Sequence, residues 1–288
     1  MGQGDAFVTI NVEAGGSGTA QVLFSNGEST ATLTIDHAPI KGELSGIFSV
    51  SETSKVRFSQ GNLQYVGTWQ FAKNQWDYFG DTQSDDHRDL FGWGTGDAPN
   101  KVSTVISDYA TFTDWGINPI ANGGKEANAW RTLTKDEWLY LFYKRTNAAT
   151  LFSLGSVNGV NGTILLPDNW ALPTGASFTA STSQGLQWKW INEAGSYLYY
   201  NSRNNNFSHN TYTKAQWEVM EAAGAIFLPA AGTRIGTDWD NKYDDHGYFW
   251  SATPYETGAA YYLVFGSQSL NPKNHYDWSR GLSVRLVR

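Results

Sequence analysis

The last part of the chain, residues 247–288, restricts the fold most, because apolar and polar side chains alternate along it. A period of two predicts strands, and here it predicts them at residues 248–254, 259–265 and 282–288. We interpret residues 266–281, which are mostly small and polar, as a loop. This loop also contains Tyr276 and Trp278, and aromatic residues among small polar ones are typical of recognition surfaces. The C-terminal region is therefore predicted to be an antiparallel scaffold that displays a binding surface.

The same alternation divides the strand predicted at residues 259–265 into two faces. Successive side chains of a strand point to opposite sides, so Tyr262 and Val264 share one face. Tyr261, Leu263 and Phe265 share the other face. We expect the first face to be displayed and the second to pack in the core.

Composition indicates a β-rich globular protein and argues against several classes of partner. The chain has 288 residues, 15% of them aromatic and 16% charged, and can bury a sizeable core. Its formal net charge of −7 argues against nucleic acid or an anionic membrane as the main partner. No apolar run approaches the length of a membrane span. The sequence has no cysteine, which excludes disulfides, thiolate zinc sites and a cysteine nucleophile.

Residues 1–45 differ from the rest and predict a small β subdomain. Short alternating segments predict strands at residues 7–12, 19–24 and 30–35. Asn26-Gly27 is a type I′ hairpin signal between the last two. This subdomain is either a spacer or the remnant of an immunoglobulin-like sandwich, and residues 46–288 are expected to form the ligand-binding domain.

Two helices are predicted from capping boxes, in which a threonine hydroxyl and a side chain three residues later satisfy each other's backbone N–H groups. TKDE (134–137) begins the first helix and TKAQ (213–216) begins the second. Gly224 is placed to end the second helix. The apolar segment 225–230 then predicts a buried strand.

At this point the ordered series of short blocks resembles a known group of proteins. The blocks are WRTLTKDEW (130–138), EAAGAIFLPAAG (221–232), GYFWSATPY (247–255), AYYL (260–263) and SVRLVR (283–288). They resemble C-type lectin-fold proteins, in the branch of formylglycine-generating-enzyme-like domains, FISUMP domains and the variable proteins of diversity-generating retroelements. The resemblance covers about residues 46–288. It implies an α+β, C-type lectin-like fold, with two helices around a small, mostly antiparallel sheet and long loops.

Catalysis is not expected. The oxidase chemistry of the enzyme branch requires cysteines, which this chain lacks. The histidines are scattered, and none forms a helical metal pair or follows an evident nucleophile; they are His37, His87, His209, His246 and His275. We therefore expect a noncatalytic ligand-binding protein of the receptor or adhesin type.

The resemblance to variable proteins implies a diversified surface at the end of the chain, about residues 238–288. Adenine-directed mutagenesis in such proteins yields mixtures of Asn, Asp, Tyr, Ser, His and similar residues, which are frequent here. The residues that we expect to be displayed and to bind ligand are Trp239, Asp240, Tyr255, Thr257, Tyr262, Val264, Ser267, Ser269, Lys273, His275, Tyr276, Asp277 and Trp278. Tyr and Trp would supply rigid contact area, and the polar residues would supply adaptable contacts.

Partner and location follow from the same resemblance. It implies a protein or glycan ligand on another cell or on a phage or host surface, with neither nucleic acid nor a direct membrane span. We expect a cell-surface or secreted protein, lipid-anchored in its full-length form, or a component of a phage particle. Alternatives are a fixed-specificity FISUMP-type surface lipoprotein, a carbohydrate-binding module, or a structural adhesin with its interface in residues 1–45.

An acidic segment raises the question of calcium. Asp238, Asp240, Asp244 and Asp245 lie close together, and oxygen ligands at such spacing can surround Ca²⁺. The segment has neither the central glycine nor the glutamate of an EF-hand. A solvated acidic loop and a calcium site both remain open, and no cofactor is otherwise expected.

Three further expectations concern packing. Replacing Tyr276 or Trp278 with alanine should abolish binding with little loss of stability, whereas Trp250 should be a core residue. Arg285 and Arg288 are expected to be structural and to pair with nearby carboxylates or carbonyls.

Overall fold

The computed structural model describes residues 18–25, 30–37, 41–184, 186–192, 195–200, 206–240, 246–267 and 269–288. The chain divides into two compact units, Met1–Pro39 and Ile40–Arg288. In the first unit, β1 (Gly18–Ser25) and β2 (Thr30–His37) form an antiparallel hairpin. The strand predicted at residues 7–12 and the Asn26-Gly27 turn lie outside the described residues.

The larger unit consists mainly of short strands. In chain order they are β3 (Phe48–Ser49), β4 (Lys55–Val56), β5 (Leu63–Tyr65), β6 (Trp69–Phe71), β7 (Arg131–Thr132), β8 (Phe152–Val157), β9 (Val160–Leu165), β10 (Leu186–Asn192), β11 (Gly195–Tyr200), β12 (Thr211–Tyr212), β13 (Ile226–Pro229), β14 (Thr233–Ile235), β15 (Asp238–Asp240), β16 (Gly247–Glu256), β17 (Ala259–Gly266), β18 (Ser269–Asp277) and β19 (Leu286–Val287). The α-helices are α1 (Lys135–Leu139), which continues into a π-helical turn (Tyr140–Lys144), and α2 (Lys214–Ala222). Single 3₁₀ turns occupy Gly80–Thr82, Ile106–Tyr109, Trp115–Ile117, Ala148–Thr150, Ser181–Gln184 and Asn206–His209.

Both predicted capping boxes are present. The Thr134 hydroxyl accepts from the Glu137 N–H, and the Glu137 carboxylate accepts from the Thr134 N–H at 2.8 Å. Thr213 and Gln216 repeat this arrangement at the start of α2. Gly224 follows α2 with a φ of +97°, so the predicted end of this helix is also confirmed.

The largest sheet is antiparallel, with strands in the order β10-β11-β18-β17-β16. It corrects the prediction that residues 266–281 form a loop, because Ser269–Asp277 is a strand between β17 and β11. Leu270 and Pro272 are buried in it, and backbone pairing on two sides outweighs the low strand propensity of its Asn and Lys residues. A second sheet has the order β12-β8-β9-β13.

Strand β17 packs on both of its faces. Leu263 and Phe265 belong to one buried cluster, with α1 and the β8–β9 hairpin. Ala260 and Tyr262 belong to another, which contains many of the tryptophans. The predicted separation into two faces is confirmed, but the expectation that Tyr262 is displayed is wrong.

The α+β prediction with a C-type lectin-like arrangement is wrong. Strands make up 35% and helices 17% of the structure, which is therefore mostly β. The α-helices are only five and nine residues long, and several small sheets replace the single sheet with two flanking helices. The capping boxes identify where helices begin but say nothing about their length, and the connection between them folds into the strand pairs β8–β9 and β10–β11. Within the described residues, no helix is long and apolar enough to cross a membrane.

Candidate ligand-binding surface

The cross-strand register of β16, β17 and β18 brings tyrosine and asparagine residues onto one face of the sheet. Residues directly opposite each other in antiparallel strands share a face. Three rows result from this pairing: Tyr248, Val264 and Asn271; Trp250, Tyr262 and Asn274; Ala260 and Tyr276. We call the surface formed by Tyr248, Tyr262, Val264, Asn271, Asn274 and Tyr276 the tyrosine face.

The three tyrosine rings of this face form a continuous series across the strands. The ring centroids of Tyr248 and Tyr262 are 5.8 Å apart, and those of Tyr262 and Tyr276 are 5.9 Å apart. Tyr248 and Tyr276 are half-buried, and both pack against the cluster below. Such rings combine a fixed position with partial exposure, which favours contact with a ligand at a low cost in entropy.

Tyr262 lies at the centre of the face and is paired with Trp250 on one side and with Asn274 on the other. The residue is only 4% exposed, yet its hydroxyl makes no hydrogen bond within the described part of the chain and retains some contact with solvent. Burial raises the pKa of Tyr262, the neighbouring Tyr248 and Tyr276 raise it further, and Arg280 lowers it. The hydroxyl therefore stays protonated and can donate a hydrogen bond.

The two asparagines add further donors. The Asn274 Oδ1 accepts from the His275 N–H at 2.9 Å, and the Asn271 Oδ1 accepts from the Lys273 N–H at 3.0 Å. Their Nδ2 groups have no acceptor among the described residues. Both amides are thus held by the strand with their N–H groups available.

A charged pair borders the face. The Arg280 guanidinium lies 4.5 Å from the ring centroid of Tyr276 and contacts the Asp240 carboxylate at 3.4 Å. Both charged side chains are mostly buried, and their opposite charges offset each other. The pair therefore adds little net charge to the face. On the opposite border, the rings of His246 and Tyr248 stack at 6.1 Å.

Of the candidate calcium ligands, the structure describes Asp238 and Asp240, and each has a partner within the protein. Asp240 is engaged by Arg280, and the Asp238 carboxylate accepts from the Thr237 hydroxyl at 3.4 Å. Asp244 and Asp245 lie outside the described residues. Elsewhere in the described part of the chain, no group of three or more histidine or acidic side chains could hold a metal ion.

A second group of predicted residues lies at the other face, near the β16–β17 turn. The rings of Tyr255 and His275 stack with centroids 3.9 Å apart and an interplanar angle of 12°. Tyr261, directly opposite His275, meets Tyr255 edge-on at 5.1 Å. We call this group the hairpin tip and include Glu256 and Asp277, which are exposed beside it.

Trp278 is not a displayed residue, which corrects the prediction. It is 9% exposed and stacks on Trp93 with centroids 5.4 Å apart. Its N–H donates to the Gly258 carbonyl and its carbonyl accepts from the Trp93 N–H, so the strand ends here and the side chain turns into the core. Tyr262 is likewise a buried residue that presents only its hydroxyl.

The remaining predicted residues are distributed around these two surfaces. Trp239 is half-buried, and its indole N–H donates to the Ala231 carbonyl at 2.9 Å, so it anchors the β14–β15 hairpin. Ser267, Ser269 and Lys273 are half-buried in or near the β17–β18 connection. Thr257 is exposed in the turn beside the hairpin tip. The structure thus places some of the predicted residues at the two surfaces and others, such as Trp278 and Trp239, in the core or in a neighbouring hairpin.

Sequence reasoning missed several residues of these surfaces. They are Tyr248, Asn271, Asn274 and Arg280 at the tyrosine face and Tyr261 at the hairpin tip. Asn271 and Asn274 fall within the loop predicted at residues 266–281. Because alternation assigns side chains to faces only in a strand, the sequence could not place them on a face. Recognising residues 269–277 as a strand would have placed Asn274 opposite Tyr262 and exposed the pattern.

The contacts of one serine–histidine pair do not fit a catalytic triad. The Ser84 hydroxyl lies 3.1 Å from Nδ1 of His87. The same hydroxyl accepts from the Asp86 N–H at 3.2 Å, which makes it part of a local turn. Among the described residues no carboxylate contacts His87 to orient it, as a catalytic triad would require.

Comparison with known proteins adds one match. Residues 201–287 match the model of a family described as a domain of unknown function (DUF8237). This segment includes α2 and all strands from β12 to β19, and with them the complete tyrosine face. Searches of curated proteins and of solved structures find no match.

Proposed function

We propose that this protein is a noncatalytic ligand-binding protein and that the tyrosine face is its recognition surface. The observation that carries the proposal is the hydroxyl of Tyr262, a donor without a hydrogen-bond partner among the described residues, at the centre of half-buried tyrosines and asparagines. An acceptor on a ligand would replace the solvent in contact with this hydroxyl, and the hydrogen bond formed would contribute about 1 kcal/mol.

The chemistry of the face favours an uncharged, hydrogen-bonding ligand. Hydroxyl and amide groups of Tyr262, Asn271 and Asn274 provide donors, while Arg280 is already neutralised by Asp240. A protein surface or a glycan would meet this requirement, and we propose such a ligand on another cell or on a phage or host particle. The net charge of −7 supports neither nucleic acid nor an anionic membrane.

Array binding tests this proposal. Fluorescent tetramers of the chain would be applied to a glycan array and to an array of extracellular proteins. The variant Asn274→Ala/Tyr276→Ala should lose the signals of the wild-type protein by about tenfold or more, as expected for central interface residues. Tyr143→Ala is the matched control, because it removes an exposed tyrosine elsewhere on the domain.

Two results would contradict the proposal. Signals that persist in the double variant would place the binding surface elsewhere. Equal losses in the double variant and in Tyr143→Ala would indicate nonspecific adhesion of aromatic residues. Thermal melting of each variant confirms that the loss does not arise from unfolding.

We propose further that the exposed positions near these strands differ among copies of the gene, as in variable proteins of retroelements. Support comes from the residue types at Tyr255, Lys273, His275, Tyr276 and Asp277, which lie on a framework of buried residues. Sequencing the last codons of this gene in a natural population tests this. Changes at these positions, each traceable to adenines in a nearby template repeat, are expected, and an invariant segment would refute diversification.

A further inference from the structure

The hairpin tip has a negatively charged, aromatic surface of its own. Glu256 and Asp277 both lie opposite Ala259, one on each side. They share its face and are about two strand spacings, or roughly 10 Å, apart. Ala259 is small and buried, so it forms a floor between two exposed carboxylates.

Aromatic rings close one side of the gap between the carboxylates of Glu256 and Asp277. Ala259 and Tyr261 share a face because they are two residues apart in β17. Tyr261 lies opposite His275, and the ring of His275 is covered by Tyr255, which is 38% exposed. The gap therefore has carboxylates at two ends and rings along its side.

The same cluster already holds a cation of the protein itself. The Lys135 ammonium lies 5.0 Å from the ring centroid of Tyr261 and pairs with Asp136 at 3.1 Å. Among the described residues, Lys135 forms no ion pair with Glu256 or Asp277. The arrangement shows that a positive group is accommodated against these rings, as cation–π attraction predicts.

An apolar border lies beyond the turn. Ile106 packs against the turn, since a Cβ placed on Gly258 would be 3.1 Å from its Cγ2. Ile106 and the neighbouring Val105 are both exposed. The turn between Glu256 and Ala259 thus has an exposed apolar side chain beside it.

We propose that the hairpin tip is a docking site for a segment of a partner protein that carries arginine or lysine beside an apolar residue. The cationic side chain lies over Ala259 between Glu256 and Asp277, in contact with the ring of Tyr255. The apolar neighbour packs on Val105 and Ile106. Charge complementarity selects this partner over an anionic one.

This site is independent of the tyrosine face. Tyr261 and Tyr262 are consecutive in β17 and point to opposite sides of the sheet. Both surfaces can therefore be occupied at the same time. A failure of either proposal leaves the other unaffected.

Fluorescence anisotropy with two peptides tests the inference on the full chain. One probe is a peptide that alternates arginine and leucine, and the other carries glutamine in place of each arginine. The wild-type protein should bind the arginine peptide about tenfold more tightly or better. Glu256→Gln/Asp277→Asn should abolish this preference, and Tyr255→Leu should weaken binding several-fold with the charges unchanged.

The matched control is Glu52→Gln/Glu126→Gln, which removes the same two charges at exposed positions in other loops. It should bind as the wild-type protein does. A comparable loss of affinity for the arginine peptide in this control would show that the overall negative charge of the protein attracts the peptide. This result would overturn the proposal. Equal affinity for the two peptides would also overturn it, as would glycan-array signals that disappear in the hairpin-tip variants.

Discussion

At the scale of single residues, Tyr276 and Trp278 show how two aromatic side chains of one segment divide between surface and core. Tyr276 is half-buried under Arg280, whereas Trp278 is buried and stacked on Trp93. Their spacing in the sequence is the same as that of residues on one strand face. The strand ends between them at Asp277, however, so the alternation no longer applies to Trp278.

We therefore expect very different stability effects from these two residues. Trp278→Ala should destabilise the protein by about 3–5 kcal/mol, because it removes a large buried ring. Tyr276→Ala should cost about 1 kcal/mol, as is usual for a partly exposed position. Urea unfolding of both variants measures the difference, and a small effect of Trp278→Ala would return that residue to the displayed set.

Asp89 predicts a pH dependence of stability. Burial raises its pKa from 3.8 to about 7, although the Phe79 N–H, which donates to its Oδ2 at 2.7 Å, acts in the opposite direction. Below the unfolded pKa the contribution of Asp89 to stability is fully present. As pH rises toward and through 7, the folded state must release a proton that the unfolded chain has already lost, and the contribution disappears.

Between pH 4 and pH 7, the contribution of Asp89 to the free energy of unfolding should therefore fall by up to about 4 kcal/mol. One pKa unit corresponds to about 1.4 kcal/mol. The comparison is with Asp89→Asn, which does not titrate. The stability difference, wild type minus variant, should decrease steadily between pH 4 and pH 7 in urea titrations. A difference that stays constant over this range would show that folding does not raise the pKa of Asp89.

At the scale of elements, one glutamine connects four segments of the core. The Gln75 Oε1 accepts from the Phe227 N–H at 2.7 Å and from Arg285 Nη2 at 2.8 Å. Its Nε2 donates to Glu221 at 2.8 Å and to the Ala225 carbonyl at 3.2 Å. Arg285 is buried and contacts no carboxylate directly in the part of the chain that the structure describes, so the neutral amide links its charge to Glu221 on α2.

Removing the side-chain amide of Gln75 should strongly destabilise the protein. Gln75→Ala leaves the guanidinium of Arg285 and the N–H of Phe227 without their shared acceptor, and should destabilise the protein by about 3 kcal/mol or more. Gln70→Ala is the control, since Gln70 is half-exposed and makes no side-chain hydrogen bond among the described residues. Similar melting temperatures for the two variants would contradict the role assigned to Gln75.

Elements governed by local signals were predictable from the sequence, and those governed by distant pairing were not. The capping boxes and Gly224 fix the helix ends within a few residues. The β8–β9 hairpin had an equally local signal, Asn158-Gly159, whose φ values of 50° and 82° fit a type I′ turn. Strand β18 had none, because its Asn and Lys residues favour loops and only pairing with β17 and β11 makes it a strand.

The Gly159 turn allows a test of backbone strain without a steric clash. A Cβ at this position would meet nothing within 4 Å, but its φ is unfavourable for other residues. Gly159→Ala should cost about 1 kcal/mol through conformation alone. At Gly162 an added Cβ would lie 2.4 Å from the Leu228 carbonyl oxygen, so Gly162→Ala should be clearly worse in the same unfolding experiment.

At the scale of the whole molecule, the larger unit contains its own core. The three buried clusters consist of residues from Leu44 onward. A chain reduced to residues 40–288 is therefore expected to fold cooperatively on its own. It should also keep the array signals of the full chain, and loss of folding on deletion would show that residues 1–39 are required for the core.

The candidate site was predictable in part at this scale. The composition of the C-terminal region predicts ligand contacts there, and both proposed surfaces lie in that region. The sequence could not show that the contacts divide between two faces, because this depends on the register of β18 against β17. Nor could it show that Tyr262 contributes a hydroxyl rather than a ring face.

The most direct test of the central claim is ¹⁹F NMR of the chain labelled with 3-fluorotyrosine, titrated with the strongest ligand from the arrays. Substitution of single tyrosines by phenylalanine assigns the signals. We expect the resonances of Tyr248, Tyr262 and Tyr276 to shift on binding, and those of Tyr255 and Tyr261 to stay unchanged. Shifts confined to Tyr255 and Tyr261, or absent from Tyr262, would contradict the assignment of the tyrosine face as the recognition surface.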